Sequence, residues 1–166
     1  MSTVREALEG TGLAPDRLIL EITESAPISS RNADDHLRAL RTMGVRVALD
    51  DFGSGYAAPA LLSEFAFDLL KLDRSLVKKL PNHRDSTVAR AIIEMGAGLG
   101  MKVVAEGIET EAQHAELRRL GCVIGQGYRF ARPLDSDALG GWFAARKSVT
   151  VHTVELPALF EHVAVY

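Results

Sequence analysis

Short apolar runs alternate with longer stretches of helical periodicity through most of this chain. Leu18–Ile22, Val45–Leu49, Asp68–Asp73 and Lys102–Ala105 read as strands, being brief, rich in Val, Ile and Leu, and bounded by turn residues, and Val123–Phe130 reads as a fifth short strand and turn. Helical faces lie around and between them. Val4, Ala7 and Leu8 share one ahead of Gly10 and Gly12. Ala33, Leu37 and Leu40 share another, with Asn32 as the expected N-cap and Gly44 as the stop. A short helix is expected around Leu61, Leu62 and Phe65. A longer one, with Val88, Ala91, Ile92, Met95 and Leu99 facing the core, follows a polar turn over Asn82–Asp85 and ends at Gly100. Thr110 and Gln113 have capping-box spacing for the next helix, which Gly121 closes. A last helix is expected over 137–146. Strand follows strand at intervals of about 20 to 35 residues, the rhythm of βαβ units, so the fold class expected is α/β with a parallel sheet.

Composition narrows this picture. The 166 residues suffice for one domain with a core and fall short of the about 250 of a usual β/α barrel. A formal net charge of −3 gives no electrostatic case for duplex nucleic acid. No stretch has the roughly 18 uninterrupted apolar residues of a membrane span, and the N-terminus lacks the order of a signal peptide. Cys122 is the single cysteine, which fits a reducing compartment, so a cytoplasmic location is expected. Cys122 itself reads as a small buried hydrophobe, and the scattered histidines show no ligand spacing.

Chemistry gathers where the apolar runs stop. Glu21 and Glu24, Asp50 and Asp51, Lys71 and Asp73, Glu106 and Glu109, and Gln126 all stand at or near strand ends. In parallel β/α folds those ends converge on one face, so distant residues meet around one pocket. Adjacent carboxylates such as Asp50-Asp51 repel, and they are placed together chiefly where a cation neutralises them. An all-oxygen donor set suits Mg²⁺ or Mn²⁺. Lys71 could neutralise a phosphate or a developing oxyanion. As a Schiff-base lysine it would be a poor nucleophile, since the surrounding acids keep it protonated. Carboxylates, cation and lysine together are equipped for metal-assisted phosphoryl hydrolysis.

Glu21-Ile-Thr-Glu24-Ser25, Asp50-Asp-Phe-Gly-Ser-Gly-Tyr56, Lys71-Leu-Asp73, Ala105-Glu-Gly-Ile-Glu109 and Gln126-Gly-Tyr128 closely resemble successive motifs of the EAL domain. The resemblance implies a metal-dependent cyclic di-GMP phosphodiesterase module that yields linear pGpG. It implies metal ligation by Glu21, Asp50 and Asp51 with Asp73 near the second ion, Lys71 orienting the attacking water, and Glu106 as general base. Glu24 would anchor the loop Phe52-Gly53-Ser54-Gly55, which couples metal binding to dimerisation, while Glu109 and Gln126 would support metal or substrate. The family's Glu-Ala-Leu signature and a later ligand Asn are not in this sequence. The match opens at the helix before the family's fourth strand, which implies a partial TIM-type β/α barrel of about five of eight units over residues 1–146, with an apolar tail over 147–166. The chain alone is then expected to be inactive in hydrolysis and to work as a homodimer or with a partner chain completing the barrel. The alternative is a non-catalytic module for protein interaction or nucleotide sensing.

Overall fold

Each apolar run contains a strand that pairs with its neighbours in sequence, the first and the last described strand with one neighbour each. β1 (Ile19–Thr23), β2 (Arg46–Phe52), β3 (Leu69–Leu72), β4 (Lys102–Ala105) and β5 (Ile124–Gly125) form one parallel sheet in the order β1-β2-β3-β4-β5. The computed structural model describes residues 2–23, 31–53, 62, 64–135, 138 and 141–142. α1 (Ser2–Thr11) precedes the sheet. α2 (Arg31–Thr42) links β1 to β2, α3 (Arg74–Val77) and α4 (His83–Gly98) link β3 to β4, and α5 (Glu111–Arg119) links β4 to β5. Parallel strands in sequential order with helical crossovers are the construction of a β/α barrel wall.

Alternation along the strands gives the sheet two different faces. Leu20, Ile22, Val47, Leu49, Leu70, Leu72, Val103 and Ala105 face the helices and belong to the main core. Val47, Leu49, Leu70 and Leu72 are each fully buried, contributing about 1.5–3 kcal/mol apiece. On the other face Ala48, Leu69 and Val104 form a smaller apolar layer with Ile19 and Ile124 against it. Two residues further along the strands, that same face carries Glu21, Asp50, Lys71, Glu106 and Gln126. The apolar layer is the floor on which these polar side chains stand.

Several local signals do what their sequence predicts. The Thr110–Gln113 capping box is complete, and Gly12, Gly44, Gly100 and Gly121 follow their helices at positive φ. Other elements differ from expectation. α4 begins at His83, with Asn82 Oδ1 accepting the Arg84 N–H at 3.0 Å, so the polar stretch is a cap and first turn and not a separate loop. Its buried face is Ser86, Ala89, Ile92, Ile93 and Gly96, while Val88 and Leu99 are exposed. The reason is close approach to the sheet: a Cβ on Gly96 would lie 2.6 Å from Val103 Cγ2. Ile92 and Met95 pack inward as expected, and the small Ala89 and Gly96 turn the packed face away from Val88 and Leu99. α2 starts at Arg31, so Asn32 is inside the helix and not its cap. β2 runs on through Asp50 and Asp51 to Phe52, with a register shift against β3 between Leu49 and Phe52. Val123–Phe130, by contrast, is the short strand and turn expected of it, with β5 over Ile124–Gly125 and the turn over Tyr128–Phe130. Asp73 caps the unpredicted α3. Leu62 and Phe65 are buried, whereas Leu61, most of the helix expected over 137–146 and the tail lie outside the described residues.

Two glycines of α4 therefore respond oppositely to alanine. Gly96→Ala forces a methyl into Val103 and is expected to lower stability by about 1–2 kcal/mol, overpacking outweighing the gain in helix propensity. Gly98 has nothing within 4 Å of an added Cβ, and Gly98→Ala is expected to raise stability by about 0.5–1 kcal/mol. Urea midpoints of the two variants against the parent chain measure both signs.

Candidate functional site

β3 is the middle strand, and its Lys71 is 6% exposed. Water cannot solvate an ammonium there, so the sheet supplies anions from its neighbours. Nζ lies 2.7 Å from Glu21 Oε1 on β1, 3.0 Å from Asp50 Oδ1 on β2 and 2.7 Å from Glu106 Oε1 just past β4. Burial pulls the lysine pKa down, but the hydrogen bonds to Glu106, Glu21 and Asp50 outweigh it and hold the ammonium well above the ordinary lysine value. Lys71 is thus a fixed positive charge and no nucleophile.

Glu106 also accepts from Gln126 Nε2, at 2.8 Å to the same Oε1 that receives Lys71. Burial raises the Glu106 pKa, Lys71 lowers it, and Asp50 and Glu21 raise it further; the result is a carboxyl above its usual range. Asp51 moves the same way, through burial first and then the like charges of Asp50 and Asp73. Its backbone has a φ of 59°, a left-handed conformation rare for a residue other than glycine, and it falls within the register shift of β2. The Asp51 backbone N–H donates to Asp50 Oδ1 at 3.0 Å, which holds the Asp50 carboxylate against the turn of the chain.

Asp50, Asp51 and Glu106 offer oxygens that all lie within 4.8 Å of one another. Mutually repelling carboxylates offering only oxygen donors fit a hard divalent cation. Glu21 stands beside that trio as a Lys71 partner. Asp73 is buried and gives Oδ1 to the Ser75 N–H at 2.9 Å, capping α3. Glu109 is exposed, and its backbone N–H goes to Gln113 Oε1 at 2.8 Å. Phe52 is buried and Gly53 has a φ of +97°, 3.5 Å from Ile92 Cδ1 to a built Cβ. Glu24, Ser54 and Gly55 lie outside the described residues. Neither the left-handed Asp51 nor the Asp73 cap was read from the sequence. The positive φ leaves no composition signal at an Asp, though Asp73 followed by the Arg-Ser-Leu turn is an ordinary N-cap pattern.

A cavity of about 510 Å³ opens at the other end of the sheet, lined by Arg41, Arg46, Asp68 and Lys102 among others, and none of the clustered acids borders it. Cavity volume and chemistry point to opposite ends of this sheet, and the clustered charges mark the candidate site. Cys122 is buried, with its thiol against the Val103 and Ile124 carbonyls and pushed up to about 11 by burial, which leaves it protonated and a poor nucleophile.

Comparison with known proteins agrees with this geometry. Residues 1–133 match the EAL domain family. Over 140 residues the chain is 47% identical to the cyclic di-GMP phosphodiesterase NbdA of Pseudomonas aeruginosa, covering 82% of this chain and 18% of that protein. It superposes on the MucR phosphodiesterase of the same organism in its c-di-GMP complex with a TM-score of 0.77 and 40% identity, over 83% of this chain and 57% of that one. A manganese and cyclic di-GMP complex of Klebsiella pneumoniae BlrP1 gives a TM-score of 0.74 and 33% identity, over 79% and 34%. The chain spans about a fifth of the length of such curated relatives. This chain belongs to the EAL domain family.

Removing the central cation tests what it holds together. Lys71→Met leaves Glu21, Asp50 and Glu106 facing one another at low exposure, and stability is expected to fall by about 2 kcal/mol near pH 8. Carboxyls whose folded pKa is raised bind protons more tightly folded than unfolded, so lowering the pH toward about 5 should recover part of the loss. Urea midpoints of variant and parent at the two pH values read this directly.

Proposed function

We propose that this chain carries the reaction face of a cyclic di-GMP phosphodiesterase, hydrolysing one phosphodiester of the cyclic dinucleotide to give linear pGpG. The observation that carries the reading is the convergence of Glu21, Asp50 and Glu106 from separate strands on the Lys71 ammonium, at the strands' C-terminal ends. It is supported by the family and by relatives whose names state that activity or that ligand. Asp50 and Asp51, with Glu21 and Asp73 beside them, would hold Mg²⁺ or Mn²⁺. Such an ion, when bound, supplies Lewis-acid neutralisation of phosphate charge and a more acidic water.

The protein's own groups then divide the work. Glu106, its pKa raised by burial, accepts the proton of the attacking water. As the water oxygen bonds to phosphorus, the bond from phosphorus to the leaving ribose oxygen breaks, and that oxygen leaves with a proton from solvent. Lys71, permanently charged, stabilises negative charge building on the phosphoryl oxygens. Its three carboxylate contacts keep it in place before substrate arrives, so little reorganisation is needed. A cytoplasmic location and self-association through the loop around Phe52–Gly55 belong to the same reading.

Calorimetric titration of cyclic di-GMP in excess Ca²⁺, paired with pGpG formation in Mn²⁺, tests it. Glu106→Gln is expected to cut turnover by about 10²–10⁴-fold while binding stays within a few-fold. Binding by the parent chain without turnover would favour a sensing module over an enzyme. Neither binding nor turnover would remove the reading altogether.

A further inference from the structure

Glu106 is one residue past a strand, on a segment that could swing, yet its carboxylate is aimed. The structure shows what aims it. Gln126 donates from Nε2 to Glu106 Oε1, the same oxygen that accepts from Lys71 at 2.7 Å. The amide nitrogen must be the atom that faces Glu106, because an ionised carboxylate only accepts. With two donors on Oε1, Oε2 is the oxygen left to receive a proton.

Gln126 is in turn clamped. Its backbone N–H donates to Ala105 O at 2.9 Å and its carbonyl accepts the Ile108 N–H at 3.0 Å, so it bridges the residues on either side of Glu106. The Arg129 N–H donates to Ile108 O at 2.9 Å and closes the turn over the same peptide. The contact beneath it admits no side chain. A Cβ on Gly127 would lie 2.3 Å from both the N and the O of Ile108, at a φ of +150°. Those are backbone atoms held by the hydrogen bonds just described, so they cannot yield as the end of a flexible side chain would. Ile108 is itself 1% exposed, with its Cδ1 2.5 Å from a Cβ built on Gly125. Gln126 is thus flanked by two glycines pressed against a buried peg.

We infer that the backbone contact of Gly127 on Ile108 is the positioning device of the site: it holds the Gln126 amide on Glu106 Oε1 and so directs Oε2 toward the incoming proton. Gly127, Ile108 and Gln126 are positioning residues, acting through Glu106. The inference deepens the hydrolytic reading and rests on it for the word proton, but the clamp itself has a readout independent of turnover. A side-chain amide held on a carboxylate resonates downfield and exchanges slowly. In the ¹H–¹⁵N spectrum of the full chain that signal is identified by its disappearance in Gln126→Leu.

In Gly127→Ala the signal is expected to move to the position of a free side-chain amide while thermal unfolding stays cooperative. An unmoved signal in that variant overturns the inference. Should Gly127→Ala fail to fold, the Ile108 and Arg129 backbone amides of the parent chain, which close the same contact, are expected to exchange as slowly as the Gln126 side-chain amide, and exchange at the free rate overturns the inference. In Mn²⁺ kinetics, Gln126→Leu and Gly127→Ala should each lower kcat by about 10–100-fold with little change in KM, the usual effect of losing a group that orients another. The double variant should be no slower than Gln126→Leu, because Gly127 acts through Gln126. Losses that multiply would mean two separate effects and would reject the coupling. A parent chain without turnover defeats the hydrolytic reading, and the amide signal then decides the clamp by itself.

Discussion

A lysine buried in the middle strand of a sheet must keep its charge or lose its proton, and the rest of this structure follows from how it keeps it. Lys71 has exchanged hydration for carboxylate oxygens that arrive from β1, from β2 and from the end of β4. Each of those acids reaches it only in one register. Side chains alternate between faces, so a one-residue slip of β1 or β2 would turn Glu21 or Asp50 toward the helices and bring an apolar neighbour to the ammonium. The charge constraint and the strand register are the same constraint, written once in electrostatics and once in hydrogen bonds.

Such a cluster adds little net stability, since ion pairs at this depth roughly offset their own desolvation. Stability rests on the opposite face, where Val47, Leu49, Leu70 and Leu72 are sealed by the helices. The close seat of α4, allowed by Gly96, brings its helix onto β3 and β4 without disturbing the face that carries Lys71 and Glu106. One side of the sheet provides cohesion and the other is left free for chemistry. The small layer of Ala48, Leu69 and Val104 marks the boundary between them.

Much of this was legible from the residues because the signals involved are local. Apolar runs of strand length located all the strands, and the Thr110–Gln113 spacing gave a helix start that the structure reproduces bond for bond. Three-dimensional signals were not legible. Of the face expected on α4, Ile92 is buried and Met95 packs against the core, but Val88 and Leu99 are exposed, because close helix–sheet approach turns Ala89 and Gly96 inward. The length of β2 was underestimated because acids are ordinary turn residues, and only the register shift lets two of them remain inside a strand. Gln126, an unremarkable polar turn residue in sequence, gains its meaning only from Glu106 across the β4–β5 gap. Glu109 shows the converse: a carboxylate near a strand end that stands exposed just ahead of the Thr110 cap of α5.

The acids outnumber the cation, and the imbalance is itself informative. Lys71 serves Glu21, Asp50 and Glu106, while Asp51 gains from it only at a distance and is pressed by Asp50 and Asp73. A fold selected for stability alone would not keep two carboxyls with raised pKa values beside each other, one of them on a left-handed backbone. Both features oppose folding, the first by repulsion above the ordinary carboxylate range and the second by strain of about 1–3 kcal/mol. A ligand that brings positive charge relieves the repulsion and therefore binds the folded state in preference to the unfolded one. Local disagreement between sequence preference and structure is concentrated at Asp50, Asp51 and Glu106, and that is where a protein is expected to give up stability for function.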